Sequence, residues 1–176
     1  MPRWGRWLPK LWIAVRRPMA VALGIGCAAS LMAHGTVTPR LALPAALYWS
    51  FVPLLEIAGL ALVLRKEFSA EAIDDFFAGH GPWLLWLAAF ATLWAFVPGP
   101  VAYARTGFPH VWYGLAMVAA AWSAWLDFAF FQRVARRSRI GAARDVLVQR
   151  LVCWPIGMII FVAPAGWQTV ASRLGL

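Results

Sequence analysis

Long apolar runs separated by short clusters of charge set the pattern of this chain. The longest of them, Leu41 to Leu64, holds 24 residues with a single carboxylate, Glu56. At a helical rise of about 1.5 Å per residue such a run spans the roughly 30 Å hydrocarbon layer of a bilayer, with room for tilt. It lies between Arg40 and the pair Arg65 and Lys66. Four further runs follow the same rule. Together they predict transmembrane helices at about residues 18–37, 41–64, 82–104, 109–131 and 151–169. The expected fold class is an all-α polytopic membrane protein. Its single integral membrane domain, 1–176, is a bundle of five transmembrane helices with interfacial amphipathic helices on the cytoplasmic side.

The stretches between and within the runs refine this outline. Residues 1–17 form a basic interfacial segment, with Trp4, Trp7, Leu8, Leu11, Trp12 and Val15 at helical spacing and Arg3, Arg6, Lys10, Arg16 and Arg17 between them. Pro9 would interrupt a regular helix there unless it marks a second start. Small residues recur in the first span at Ala20, Gly24 and Ala28 and at Ala22, Gly26 and Ser30, a spacing that lets helices pack closely. In the second span Pro53, three residues before Glu56, predicts a kink near that acid.

The stretch KEFSAEAIDDFFAGHG offers Ser69 as an N-cap. It sets Ile73, Phe76 and Phe77 on one helical face and Glu71, Asp74 and Asp75 on the other. The third run is 16 residues long from Pro82 to Val97, before Pro98-Gly99-Pro100, so a short or broken helix is expected there. In the fourth, Ala116, Ala120, Ser123 and Ala124 make a stripe ending at Asp127, the face expected against other helices. The loop 132–150 carries six arginines, divided by Gly141. Its natural counterpart is the acidic face of Glu71, Asp74 and Asp75.

Composition agrees with a lipid solvent. The chain is 62% hydrophobic and 13% charged, with mean hydropathy +0.69, against about 25% charged in ordinary globular domains. The net charge of +9 sits beside the apolar runs. Anionic lipid headgroups are therefore the expected partner, contacted by Arg3, Arg6, Lys10, Arg133, Arg136, Arg137 and Arg139, and nucleic acid is not expected. Other membrane protein subunits are the further partner class. Five spans place 13 Lys and Arg on one side and 3 on the other. The positive-inside rule then puts the N-terminus in the cytoplasm and the C-terminus on the opposite side of a plasma membrane, the inner one in a bacterium.

Charge inside the runs is where chemistry is sought. Glu56 and Asp127 both fall in the cytoplasmic half, about 12 Å and about 6 Å from the inner ends of their spans by the helical rise. An ionised acid at the centre of a span costs about 2.5–3.5 kcal/mol, so each is expected to be neutral, paired or wet. Arg16, Arg17 and Arg150, at the inner ends of the first and last spans, are the candidate cation partners. One reading is a proton or substrate site between the second and fourth spans. The other is an ion pair or hydrogen bond that fixes packing.

His34, His80 and His110 show no two-histidine motif on one helix. Cys27 and Cys153 have no neighbour at metal-ligand spacing. No metal, cofactor, nucleophile elbow or phosphate loop is indicated, and an enzyme is not expected. The expected role is a non-enzymatic accessory or scaffold component of a membrane assembly. The alternative is a small transporter or proton-coupled carrier using Glu56 and Asp127. A polar cavity reaching Glu56 would favour the carrier, and a dry, paired Glu56 the scaffold.

Overall fold

Apolar runs of this length satisfy their backbone groups internally by coiling. In the computed structural model, which describes residues 7–96 and 109–174, every regular element is helical. The order is α1 (Trp7–His34), α2 (Pro39–Trp49), α3 (Phe51–Leu64), a single 3-10 turn at Arg65–Glu67, α4 (Ala70–Gly79), α5 (Gly81–Phe96), α6 (Pro109–Arg133) and α7 (Arg139–Leu174). Two stretches, Pro9–His34 and Pro39–Glu67, are long and apolar enough to cross a membrane. A third qualifies if α4 and α5, bent by 44° at their junction, form one span. Arg3, Arg6 and the Pro98-Gly99-Pro100 break lie outside the described residues.

The helix boundaries depart from expectation in three places, each for a local reason. First, the basic segment is not a separate helix, because α1 runs unbroken from Trp7 through Pro18 to His34. Pro9 falls in the first turn, where an N–H has no intrahelical partner to lose. Gly35 ends the helix at φ +68°, its N–H bonded to the Leu31 carbonyl at 2.8 Å. Second, the long apolar run is broken at Ser50, not near Glu56. Pro53 has no N–H to give the Trp49 carbonyl four residues back, so the ladder opens there, and the Ser50 hydroxyl donates to the Leu47 carbonyl at 2.7 Å. Third, Gly141 does not divide the basic loop. It lies in the first turn of α7, its N–H bonded to the Ser138 hydroxyl at 3.2 Å, and the helix continues into the last apolar run.

Packing follows the small residues. α1 lies along α2 and also touches α4 and α5, while α7 is flanked by α3 and α6. Ala22, Gly26 and Ser30 are buried, as are Ala42 and Ala46 of α2. A methyl group at Gly26 would stand 2.5 Å from the Ala46 nitrogen and 2.7 Å from the Ala42 carbonyl oxygen, so the backbones touch there. Gly59 plays the same part between α3 and α7, where a methyl group would meet Cys153 Sγ at 2.7 Å and Gln149 Cγ at 2.9 Å.

The buried core gathers where the C-terminal ends of α3 and α6, the N-terminal end of α7 and the apolar face of α4 converge. Leu60, Phe76 and Phe131 lie at its centre. Ser69 caps α4, its hydroxyl accepting from the Ala72 N–H at 3.1 Å, and Ile73, Phe76 and Phe77 point inward. Away from this end the surface is apolar: Leu47, Leu85, Met117, Trp125 and Ile159 are all exposed. Patches of that extent suit lipid contact.

Candidate functional site

Adjacent residues on a helix point about 100° apart, and α7 uses this at Gln149 and Arg150 to serve two neighbours. Gln149, with Cys153 one turn on, faces α3. Its amide Nε2 donates to Glu56 Oε2, and the Cys153 thiol donates to the Leu55 carbonyl at 3.1 Å. Arg150 faces α6. Its guanidinium donates to Asp127 Oδ2, through Nε at 2.9 Å and also through Nη2, and Nη2 reaches the Ser123 hydroxyl. Ser123 and Asp127 are one turn apart on α6 and so stand on one face. The guanidinium carbon also lies 5.3 Å from the Trp154 ring centre, a cation–π distance.

The junction between α4 and α5 supplies the fourth side. His80 Nδ1 is 2.9 Å from the Phe76 carbonyl oxygen, and Nε2 is 3.1 Å from Asp127 Oδ1. Asp127 is fully buried, and its Oδ1, at ion-pair distance from His80, has no hydrogen-bond partner among the described residues. Both ring nitrogens thus stand close to oxygens, a placement that suits an imidazolium. Asp127 stands between the Arg150 guanidinium and the His80 ring.

Glu56 is placed differently. It is half-buried, it is bonded to an amide, and among the described residues no cation lies within ion-pair distance of it. It also lines a cavity of about 550 Å³. The cavity walls are mainly aromatic and aliphatic, with Trp49, Phe51, Trp83, Trp86 and Phe90 among them. Polar groups come from Glu56, His80, Ser123, Arg150 and Cys153. An apolar pocket with a few polar groups at one place is the usual form of a small-molecule site. Two buried polar atoms beside this assembly, Gln149 Oε1 and Trp83 Nε1, have no hydrogen-bond partner among the described residues.

Comparison of the chain with protein-family models, with curated proteins and with solved structures finds no match. The site is therefore read from its own geometry. Of the expected cation partners, Arg150 reaches Asp127, but Arg16 and Arg17 do not join the cluster. They bind Asp74 of α4 instead, Arg16 through Nε at 2.9 Å and Nη2 at 2.8 Å, and Arg17 through Nε at 3.0 Å. The reason is azimuth: their end of α1 turns toward α4. The Arg16 guanidinium holds the Asp74 carboxyl below the usual carboxylate range.

The expected pairing of Glu71, Asp74 and Asp75 with the basic loop is likewise corrected, because Asp74 is taken by α1 and the other two are exposed. The loop is met by Glu67 instead, whose Oε2 lies 3.2 Å from Arg137 Nη2, and by Asp145, which pairs with Arg137 and Arg144. Lys10, Arg133, Arg136 and Arg139 are exposed, while Arg137 is occupied by these two acids. Among the described residues no cluster of three or more metal-binding side chains occurs.

Proposed function

We propose that the chain is a small proton-coupled membrane carrier, with five transmembrane helices, the N-terminus in the cytoplasm and the C-terminus on the opposite side. The five-span arrangement rests on the apolar runs and on the 13-to-3 split of Lys and Arg. One observation supports the carrier over the scaffold: the two intramembrane acids have different surroundings. Asp127 is enclosed by Arg150 and His80, so it serves as a fixed counter-ion. Glu56 lines the cavity with only an amide for a partner, so it is free to gain and lose a proton.

The scaffold reading has its own support, since the Glu56–Gln149 bond also ties α3 to α7. Glu56→Gln separates the two. An amide at position 56 still accepts from Gln149 Nε2, so the fold is kept, but it cannot carry a proton. In vesicles under an imposed pH gradient, supplied in turn with small organic anions, cations and neutral solutes, the wild type should pass protons with at least one of them and Glu56→Gln with none, with both melting alike in detergent. A wild type without flux, or a variant with undiminished flux, contradicts the carrier.

A further inference from the structure

We infer that the cavity binds a small apolar or aromatic monocarboxylate together with one proton on Glu56, so that the pair moves as the neutral acid. This rests on the carrier reading and names its substrate class. The argument is one of charge. In this proposal Arg150 is one cation and His80, whose ring nitrogens stand 2.9 and 3.1 Å from the Phe76 carbonyl and Asp127 Oδ1, is the second; Asp127 is the anion between them. These three groups sum to one positive charge. An ionised Glu56 brings the cluster to neutrality, and a protonated Glu56 leaves a single positive charge in a low-dielectric wall. Such a charge is costly without a counter-ion. A ligand carboxylate supplies that counter-ion beside Arg150 and His80, both of which line the cavity.

Two further features fit this ligand. The walls are apolar and aromatic, and about 550 Å³ suffices for the body of a small molecule. Gln149 Oε1, buried and without a hydrogen-bond partner among the described residues, belongs to the same amide whose Nε2 already donates to Glu56. A proton on Glu56 gives that oxygen the donor it lacks, closing a two-bond acid–amide pair.

Among the described residues, the titratable and charged groups around Glu56 come from three elements. α7 contributes Gln149, Arg150 and Cys153, α6 contributes Ser123 and Asp127, and the α4–α5 junction contributes His80. From α1 the cavity receives the apolar Val21 and Ile25, while Arg16 and Arg17 are held at Asp74. The coupling step is balanced: the Glu56 carboxylate takes one proton from water to become a carboxylic acid, and the ligand enters as its carboxylate. Release reverses both.

The test is calorimetric titration of the detergent-purified wild type with 2-naphthoate, 2-naphthamide and 2-naphthylmethylamine, in two buffers of different ionisation enthalpy. The expected result is preference for the carboxylate over amide and amine by tenfold or more, with uptake of one proton per ligand. Glu56→Gln, a mimic of the protonated acid, should bind 2-naphthoate without proton uptake and with an affinity that no longer falls as pH rises. Preference for the amine overturns the anion assignment. Equal binding of amide and carboxylate points to any lipid-like occupant and overturns it too, as does binding of none of the three. Binding of the carboxylate without proton uptake by the wild type overturns the coupling, and that reading requires no variant. Each of these outcomes leaves the carrier reading to stand or fall separately on the proton flux of wild type against Glu56→Gln.

Discussion

Removing Asp127 is the sharpest perturbation of the cluster. The acid is fully buried and opposes Arg150, whose side chain is 14% exposed, and His80, at 13%. Asp127→Ala leaves both cations without their counter-ion. Breaking a buried pair by removing one partner costs about 3–5 kcal/mol, because the other charge stays buried and unpaired. At roughly 2–4 °C per kcal/mol for a chain of this length, the melting temperature in mild detergent should fall by roughly 6–20 °C. Replacing both partners, as Asp127→Leu with Arg150→Met, removes the orphaned charge and should recover at least half of that loss, since well-packed apolar replacements of ion pairs are often nearly neutral. The assay is a double-mutant cycle by thermal unfolding. A drop of less than about 1 kcal/mol for Asp127→Ala, the value of an exposed pair, would refute the claim that the pair is buried and closed. Purely additive losses in the cycle would do the same.

Three other outcomes are expected. Gly26→Val should destabilise the bundle by about 1–3 kcal/mol, since even its Cβ meets the α2 backbone, whereas Gly114→Ala, with nothing within 4 Å, should be neutral or stabilising in the same melting assay. The Arg16 bond lowers the Asp74 carboxyl, so its contribution to stability is complete above the unfolded aspartate value near about 3.9 and is lost as pH falls through its lower folded value. Melting temperatures taken down this acid limb should therefore fall less in Asp74→Asn than in the wild type. Accessibility tags at residue 1 and in the loop 132–150 should report cytoplasm and one at Leu176 the opposite side; a cytoplasmic C-terminus would remove a span from the account.

The all-helical architecture was legible because long apolar runs poor in charge satisfy their backbone groups by coiling. The same scarcity of charge singled out Glu56 and Asp127, and the end of the last apolar run pointed to Arg150. What sequence supplied was depth along a helix; what it lacked was azimuth. Arg16 and Arg17 stand at an inner end like Arg150, yet their side of α1 faces Asp74. His80 and Gln149 escaped notice because polar residues near a span end are common. A signal existed for Gln149: next to Arg150 on a continuous helix, it had to face a different neighbour from the one Arg150 serves. That continuity was hidden by Gly141, which usually stops a helix and here sits in the first turn, where Ser138 caps it. Pro53 acts one turn back, since a proline removes the bond to the carbonyl four residues before it, so the break falls at Ser50 and not at Glu56.

The central claim is that Glu56 is the acid of the cavity wall that exchanges a proton. Infrared titration of the purified protein in vesicles, between about pH 4 and 9, reads this directly from the carbonyl stretch of protonated carboxyl groups, since buried glutamates titrate within that range. The account predicts one such buried band that grows as pH falls, shifts when 2-naphthoate is added, and is missing from Glu56→Gln. A titrating buried band that persists in Glu56→Gln, or none at all in the wild type, would contradict it.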